Sequence, residues 1–580
     1  MSLDSHDLIP PEPPPKAMRI SGFNWARKNL FSSVFSGTLT AILTVGLLLG
    51  ILAVLRFIFS PDRRWEVIPP NAANYTVGSY PRDDLGNIWW SVWVIAALAG
   101  MSTVLWGVGG RVSVVKVVAG VRAAGVTALV VGVLSLWSPA GTAVQSWLVW
   151  GGAALIVAGW VPMRLLSEDR TVATANALAA LVGLGMVVLW YLHLDRTSHW
   201  HLRLIVTALV VIAFHWLGRM AKRWLPDPTF KKVVTMLWVI SFPVIYMHIQ
   251  RNPSVAWEEV LPWLPWAALV MAVGPVAIGL VSRLPREQAA AVNFLLGAVT
   301  IFSWVVEWPM AIRVMTLLLT LFSMAAPTFA SSPQARKVFY WSWLGGSLCA
   351  LYFFLLGVAS TGLDTRGDFL GGFNLTILLA VGGIALSFPV GLLLALGRTS
   401  TMPIFRILSV AYIEVIRGVP LITVLFFADK VIPRFLPPWV DVIGETKALL
   451  AITAFAAAYL AENVRGGLQS VSSGQFEAAR ALGMTTSQMT MLVTLPQALK
   501  AVIPAMVGQA IALFKDTSLV AIIGLADFLR VARDVVPNQP DSLGSVLENL
   551  LLAAVVYWIF AFSFSRASQR LEKRLGVGTR

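Results

Sequence analysis

Apolar runs of about 20 residues recur along the whole 580-residue chain, separated by short polar and basic breaks. A run of that length, wound as a helix, matches the ~30 Å hydrocarbon core of a bilayer. The pattern predicts eleven membrane-spanning helices before residue 360, at about 34–59, 88–109, 115–137, 145–166, 172–193, 202–220, 233–250, 260–282, 288–305, 309–330 and 338–357. Five more follow at about 370–397, 405–428, 447–466, 498–514 and 547–566. The predicted fold class is therefore an all-α, polytopic membrane protein with about 16 transmembrane helices. Residues 1–30 are polar, with the Pro-rich IPPEPPPK at 9–16, and predict a disordered tail rather than a cleavable signal. The polar, Gly-rich stretch near 358–370 reads as a linker between a multi-spanning region at 31–357 and a second module at 370–570.

Composition agrees with the pattern. The chain is 57% hydrophobic and 13% charged, with mean hydropathy +0.75. A soluble domain carries roughly a quarter charged residues. The net charge of +15 comes without a Lys/Arg block interleaved with aromatics, which sets nucleic acid aside. It fits basic cytoplasmic loops facing anionic lipid instead. Of the 24 tryptophans, Trp89, Trp90, Trp93, Trp200 and Trp439 fall near span ends, as an interfacial belt requires. The lone Cys349 lies in an apolar run and reads as a packing residue.

With the N-terminal tail in the cytoplasm, the alternate loops on that side hold Arg111, Lys116, Arg122, Arg164, Arg170, Arg219, Lys222, Arg223, Lys231, Lys232, Arg283, Arg286, Arg336 and Lys337. The opposite loops hold about half as many basic residues, the asymmetry that orients membrane proteins. An odd number of spans then brings the chain outside before residue 370, and five more return it to a cytoplasmic C-terminal tail bearing Arg566, Arg570, Lys573 and Arg574.

The long polar break between the spans at 447–466 and 498–514 carries the most information. Ser472 and Gln475 have capping-box spacing, so a helix can start there. Ala478, Ala479 and Ala481 favour helix, and Gly483 suits the left-handed position just past a helix end. Thr485 and Gln488 repeat the capping-box spacing. Met489, Leu492 and Val493 then lie on one helical face, and Pro496 is expected to break the second helix. The break is thus two short helices with an elbow at Gly483, on the cytoplasmic side by the charge count. An ordered hairpin there reads as a docking surface or as a surface feature with no partner.

These residues resemble a known motif. Glu477-Ala478-Ala479, Gly483 and Val493-Thr494-Leu495-Pro496 stand at the spacing of the EAA loop of ATP-binding-cassette (ABC) importer permeases, with Val493 replacing isoleucine. The segments at 412–427, 458–471 and 514–525 are similar to the polar amino acid permease family, which includes the histidine, glutamine and general L-amino acid permeases. The likeness runs from about 370 to 570 and looks closest to the M-type subunit of the general L-amino acid systems. It implies a five-helix type I importer core that translocates amino acids across the inner (cytoplasmic) membrane. It implies that 472–496 is a coupling hairpin in which Glu477, Ala478, Ala479, Gly483, Leu495 and Pro496 meet a dimer of ATPase subunits. ATP and Mg would then lie on that partner and no cofactor on this chain. The other implied partners are a second permease subunit and an external solute-binding protein. The many spans from about 88 to 357 exceed what that subunit needs.

Charged residues within the spans demand a partner or a wet cavity. Glu414 and Arg417, like Glu462 and Arg465, stand three apart, a spacing that allows local ion pairs. They read either as such pairs or as gating groups. Lys515, Asp516, Thr517 and Ser518 follow a span directly and read either as a helix break or as groups lining the translocation pathway. His193, His199 and His201 cluster at a predicted outer loop with Asp195 but lack the carboxylates of a metal site. No phosphate-binding G-x-x-x-x-G-K-[ST], nucleophile elbow or H-E-x-x-H occurs, so the chain reads as a transport subunit rather than an enzyme. A secondary transporter or channel predicts acids midway along spans and an internal repeat, and a sensor predicts a soluble signalling domain; neither pattern is clear.

Overall fold

In a computed structural model the regular structure of the described residues is helical, but for two three-residue strands, Arg111–Ser113 and Thr171–Ala173, that pair with each other. The structure describes residues 29–105, 111–135, 143–165, 171–173, 200–250, 261–308, 310–329, 333–357, 370–435 and 442–575. Residues 1–28 of the expected tail, 174–193 of the span expected at 172–193 and 358–369 of the expected linker lie outside the described residues.

The chain packs as two compact units that do not follow chain order. One holds residues 1–63 and 113–171. Its first helix, α1 (Val34–Ile58), starts at Ser33, whose hydroxyl accepts the Ser36 amide in a capping box. Nearly all of its apolar surface is exposed, as a lipid-facing span requires. Two further helices here, α4 (Val114–Ser135) and α5 (Ala143–Leu165), pair through small residues. A Cβ on Gly152 would lie 2.6 Å from the Leu129 amide nitrogen, so only glycine permits this approach.

The second unit holds residues 64–112 and 172–580. Its early helices are α2 (Ala72–Val77), α3 (Leu85–Leu105), α6 (Trp200–Trp224) and α7 (Asp227–Gln250). Buried polar pairs join them: the Thr103 hydroxyl bonds His215 Nδ1 at 2.6 Å, and the Trp238 indole donates to the Ser102 hydroxyl at 2.8 Å. Next come α8 (Leu264–Val281), α9 (Arg286–Val305), α10 (Met310–Phe329) and α11 (Pro333–Gly357). Between α9 and α10 three side-chain bonds form a ladder: Ser323 to Asn293, Thr300 to Thr320 and Ser303 to Thr316. Apolar lipid tails give helices no hydrophobic reason to associate, so such bonds and close packing must hold them.

The C-terminal part comprises α12 (Gly372–Arg398), α13 (Pro403–Gly418), α14 (Leu421–Phe426), α15 (Gly444–Gln469), α16 (Ser473–Ala481), α17 (Thr486–Met489), α18 (Leu495–Asp516), α19 (Phe528–Arg530) and α20 (Val546–Leu575). The largest buried core joins Leu375, Leu379, Leu425, Ile452 and Leu513 of this part with Val77, Tyr80, Ile88, Ile245 and Ile249 of the early helices. The Tyr80 hydroxyl donates to the Ile249 carbonyl at 2.9 Å. At Gly78, φ is +62° and an added Cβ would stand 2.7 Å from the Gly371 Cα. That crossing of two backbones locks α2 to the start of α12.

Among the described residues, ten helices are long and apolar enough to cross a bilayer, or eleven if a bent pair counts as one span. That count, taken over the described residues, leaves the expected sixteen unconfirmed. Helices also stand at 114–135, 143–165, 310–329 and 333–357, where further spans were expected. The span expected at 405–428 is broken: α13 and the segment from α14 to Phe435 meet at 109°. Val419, extended because it precedes Pro420, supplies the corner.

Candidate functional site

The polar break folds as the expected helical hairpin. Helix α16 starts at Ser473, but the Ser472 side chain caps nothing. The Gln475 side chain instead accepts a bond from Gln497 at 3.1 Å, which ties α16 to α18. At the other end of α16 the Met484 amide donates to the Ala479 carbonyl and the Gly483 amide to the Arg480 carbonyl. This bond pair, with Gly483 at φ +73°, is a Schellman termination. The capping box at Thr485 and Gln488 is formed reciprocally, at 3.0 and 3.3 Å.

Pro496 does not break the second arm. A π-turn at Thr490–Thr494 precedes α18, and Pro496 occupies its first turn, where a missing N–H costs nothing. Hairpin arm and membrane helix run on as one 34-residue stretch, Thr490–Ile523 counting as a single span. Ala479 and Leu495 are buried, whereas Glu477, Ala478, Gly483 and Pro496 are exposed. Leu482, which sequence reasoning passed over, stands 81% exposed at the elbow, with Leu492 exposed on the second arm. The hairpin thus presents a carboxylate and bare apolar side chains around an open elbow.

Close to the same ends of the helices, five charged side chains converge. Glu462 of α15 accepts from Arg398 and from Arg465 at 2.9 Å, with Arg417 at 3.7 Å. Arg398 also pairs with Glu414 at 3.1 Å. The pair three apart at Glu462 and Arg465 is therefore real, whereas Glu414 pairs across helices with Arg398 rather than with Arg417. Arg417 lies over the Tyr459 ring at 5.5 Å. Arg398 was missed in the sequence; its one signal is its place in the last turn of α12. Nearby, Asn463 donates to Gln509, which donates on to the Ala456 carbonyl, bonding α15 to α18.

Lys515 to Ser518 sit where α18 tightens into a 3₁₀ turn, Thr517–Ile523. Thr517 is fully buried and donates to the Phe514 carbonyl, while Ser518 donates to the Lys515 carbonyl. Lys515 is exposed and Asp516 partly buried. The chain therefore turns here without opening a break in the span.

Asp527, also missed, caps α19 by accepting the Leu529 and Arg530 amides at 3.0 and 3.2 Å. It is wholly buried, and Thr376 accepts the Phe528 amide beside it. Burial pushes its carboxyl up to about 6 against the pull of those amides and of Arg533 and Arg530. The folded pKa exceeds the unfolded value of ~3.9, so the fold binds the proton more tightly and stability falls as pH rises from about 4 to about 6. Asp527→Asn removes this dependence: the native chain loses up to ~3 kcal/mol relative to the variant across that window. Parallel melting curves for the two chains from pH 4 to 7 would rule the titration out.

Above this helix, Arg64 donates to the Asp541 and Leu543 carbonyls, Asn71 to the Ser542 hydroxyl and Tyr75 to Asn549 at 2.5 Å. The segment before α3 is thereby bonded to the loop between α19 and α20.

Compared with known proteins, residues 387–577 match the family described as binding-protein-dependent transport system inner membrane component. Over 208 residues the chain is 51% identical to the inner membrane amino-acid ABC transporter permease protein YhdY of Escherichia coli K12, covering 36% of this chain and 56% of that one. Over 212 residues it is 45% identical to BztC of Rhodobacter capsulatus, a glutamate/glutamine/aspartate/asparagine transport system permease, covering 37% and 49%. Over 213 residues it is 36% identical to the glutamate/aspartate import permease GltK of Escherichia coli O6:H1, covering 35% and 92%. The chain thus spans about half the length of the first two relatives and nearly all of the third. On these matches and on its helical architecture, the chain belongs to the polar amino-acid permeases of the ABC transporter family.

Proposed function

We propose that this chain is a membrane-spanning permease subunit of an ABC importer that translocates amino acids across the inner membrane. The observation that carries this reading is the continuity of the exposed hairpin with α18. The docking arm and a core membrane helix are one rod, so force applied at the elbow reaches the core without a joint. Glu477, Ala478, Gly483, Leu482 and Pro496 face an ATPase subunit of a dimer that holds the ATP and Mg, while Ala479 and Leu495 pack the hairpin onto itself. The permease domain is 370–570 with its coupling hairpin at 472–496, and both chain termini lie in the cytoplasm.

Glu414, Arg417, Glu462 and Arg465, completed by Arg398, bind the inner ends of α12, α13 and α15 into one body that moves when the hairpin is pulled. The exposed apolar face of α13, with Ile404, Phe405, Ile407, Leu408 and Val415, suits a second permease subunit. Lys515, Asp516, Thr517 and Ser518 stand at the outer end of α18; of these Lys515 is the group free to meet a passing substrate carboxylate. A solute-binding protein delivers the amino acid to that side.

Co-reconstitution with the ATPase dimer, the partner permease and the binding protein in proteoliposomes tests the reading. Radiolabelled amino acid should accumulate only with ATP and the binding protein present. Accumulation driven by an ion gradient alone would sink it in favour of a secondary transporter.

A further inference from the structure

The α8–α11 bundle contains an apolar groove that transport, as proposed, does not use. It encloses about 500 Å³ between α8 and α11, with Ala268, Ala272, Pro275, Tyr340, Trp341 and Leu351 in its lining. The shape is built rather than left over. Pro275 has no N–H for the Met271 carbonyl one turn back. The Trp343 indole donates to that carbonyl instead, at 2.9 Å, and so fixes α11 against α8 at its proline. A lining this apolar selects hydrocarbon, and the volume falls in the usual range for a bound small molecule.

Length and charge narrow the occupant. Along α11 the groove runs from Tyr340 to Leu351, or ~16 Å of helix, half of the ~30 Å hydrocarbon core. It therefore matches a chain entering from a single leaflet. One turn before Tyr340, at the start of α11, stand Arg336 and Lys337. The helices are antiparallel, with Gly279 beside Tyr340 and Ala267 in one cluster with Ala350, so Arg283 just past α8 lies at the same end. Glu287, in the first turn of α9, is the one acid there among the described residues, so Arg283, Arg336 and Lys337 leave the end net basic. Tyr340, apolar in body and polar at its tip, sits at the boundary between the two zones. We propose that this groove holds an acyl chain of one anionic phospholipid, whose headgroup meets Arg283, Arg336 and Lys337. A second copy of this chain would have no use for a half-bilayer length, and a neutral lipid none for the basic end.

The test uses the full-length chain, purified in mild detergent and stripped of lipid. It is then incubated with phosphatidylglycerol or phosphatidylcholine of identical acyl chains and read by native mass spectrometry. One phosphatidylglycerol should be retained in preference to phosphatidylcholine. Arg336→Gln and Lys337→Gln should each weaken that retention about fivefold and leave phosphatidylcholine unchanged. Ala272→Leu, on an exposed position inside the groove, should abolish it, whereas Val276→Leu, exposed outside the groove, should not. Both charge variants leave the apolar packing intact, so they report on the headgroup even if a groove variant misfolds. Equal retention of the two lipids, full retention by Ala272→Leu, or a change of oligomeric state in its place would each overturn the proposal.

Discussion

Gly483→Pro should reduce ATP-driven uptake to background while the chain still inserts and assembles. Gly483 holds φ at +73° and its amide donates to the Arg480 carbonyl at 2.9 Å. Proline fixes φ near −65° and has no N–H, so the termination of α16 is lost along with the elbow direction, at a local cost of ~3 kcal/mol or more. Graded variants separate backbone from bulk. Nothing within 4 Å would meet a Cβ at Gly483. Asparagine, which tolerates the left-handed region, should keep the elbow, and alanine should lose about 1–2 kcal/mol locally. Uptake should therefore order as Gly, Asn, Ala, Pro. Equal uptake by the glycine and proline chains in the reconstituted system would remove the hairpin from the coupling path.

The elbow was legible in the sequence because it is local. A Schellman end and a capping box involve residues within five positions of one another, and Gly483, Thr485 and Gln488 carry that information in their types. The misreadings at Ser472 and Pro496 have one cause. Gln475 had a better partner 22 residues away in Gln497. The π-turn at Thr490–Thr494 placed Pro496 where it is harmless. Neither could be inferred from spacing alone. The same limit hid Arg398, because helical spacing reveals neighbours along one helix and the Arg398 pairs run between helices. It also hid the woven core: no pattern of apolar residues says that Val77 and Ile249 pack beside Leu513.

That weaving changes how the long N-terminal region is understood. Residues 64–80 are bonded to the loop between α19 and α20, and α2, α3 and α7 share buried core with α12, α15 and α18. Leu375, Leu379 and Leu425 share one buried cluster with Val77, Tyr80, Ile88, Ile245 and Ile249, so deleting the early helices is expected to uncover core of the C-terminal part. The α8–α11 bundle joins the unit through α7 and α11, farther from that shared core.

The second large effect is expected at Glu462. Its carboxylate faces Arg398, Arg417 and Arg465 and is 16% exposed, against 24–37% for the three guanidinium groups. Glu462→Leu leaves those three cations with only Glu414, itself 58% exposed, to balance them. Removing one partner of a buried ion pair costs 3–5 kcal/mol, and the partial exposure of the arginines places this site near ~3 kcal/mol. Glu414→Gln, at the exposed end of the same network, should cost ~1 kcal/mol or less. Glu462→Gln keeps the shape but only one acceptor oxygen and no charge, with its amide NH2 turned toward a guanidinium, and should fall between them. The expected result is a melting temperature order of native, Glu414→Gln, Glu462→Gln, Glu462→Leu for the purified chain. High salt should narrow the gap between native and Glu462→Leu by screening the repulsion among the stranded arginines, since the Debye length falls to ~3 Å at 1 M. If Glu462→Leu instead melted with the native chain, well-packed hydrocarbon would be replacing the network at no cost, and the five charges would owe their place to transport alone. Uptake then decides between the two: a chain that melts normally but no longer couples ATP to transport assigns Glu462 to the moving step, and one that also transports normally assigns it to neither.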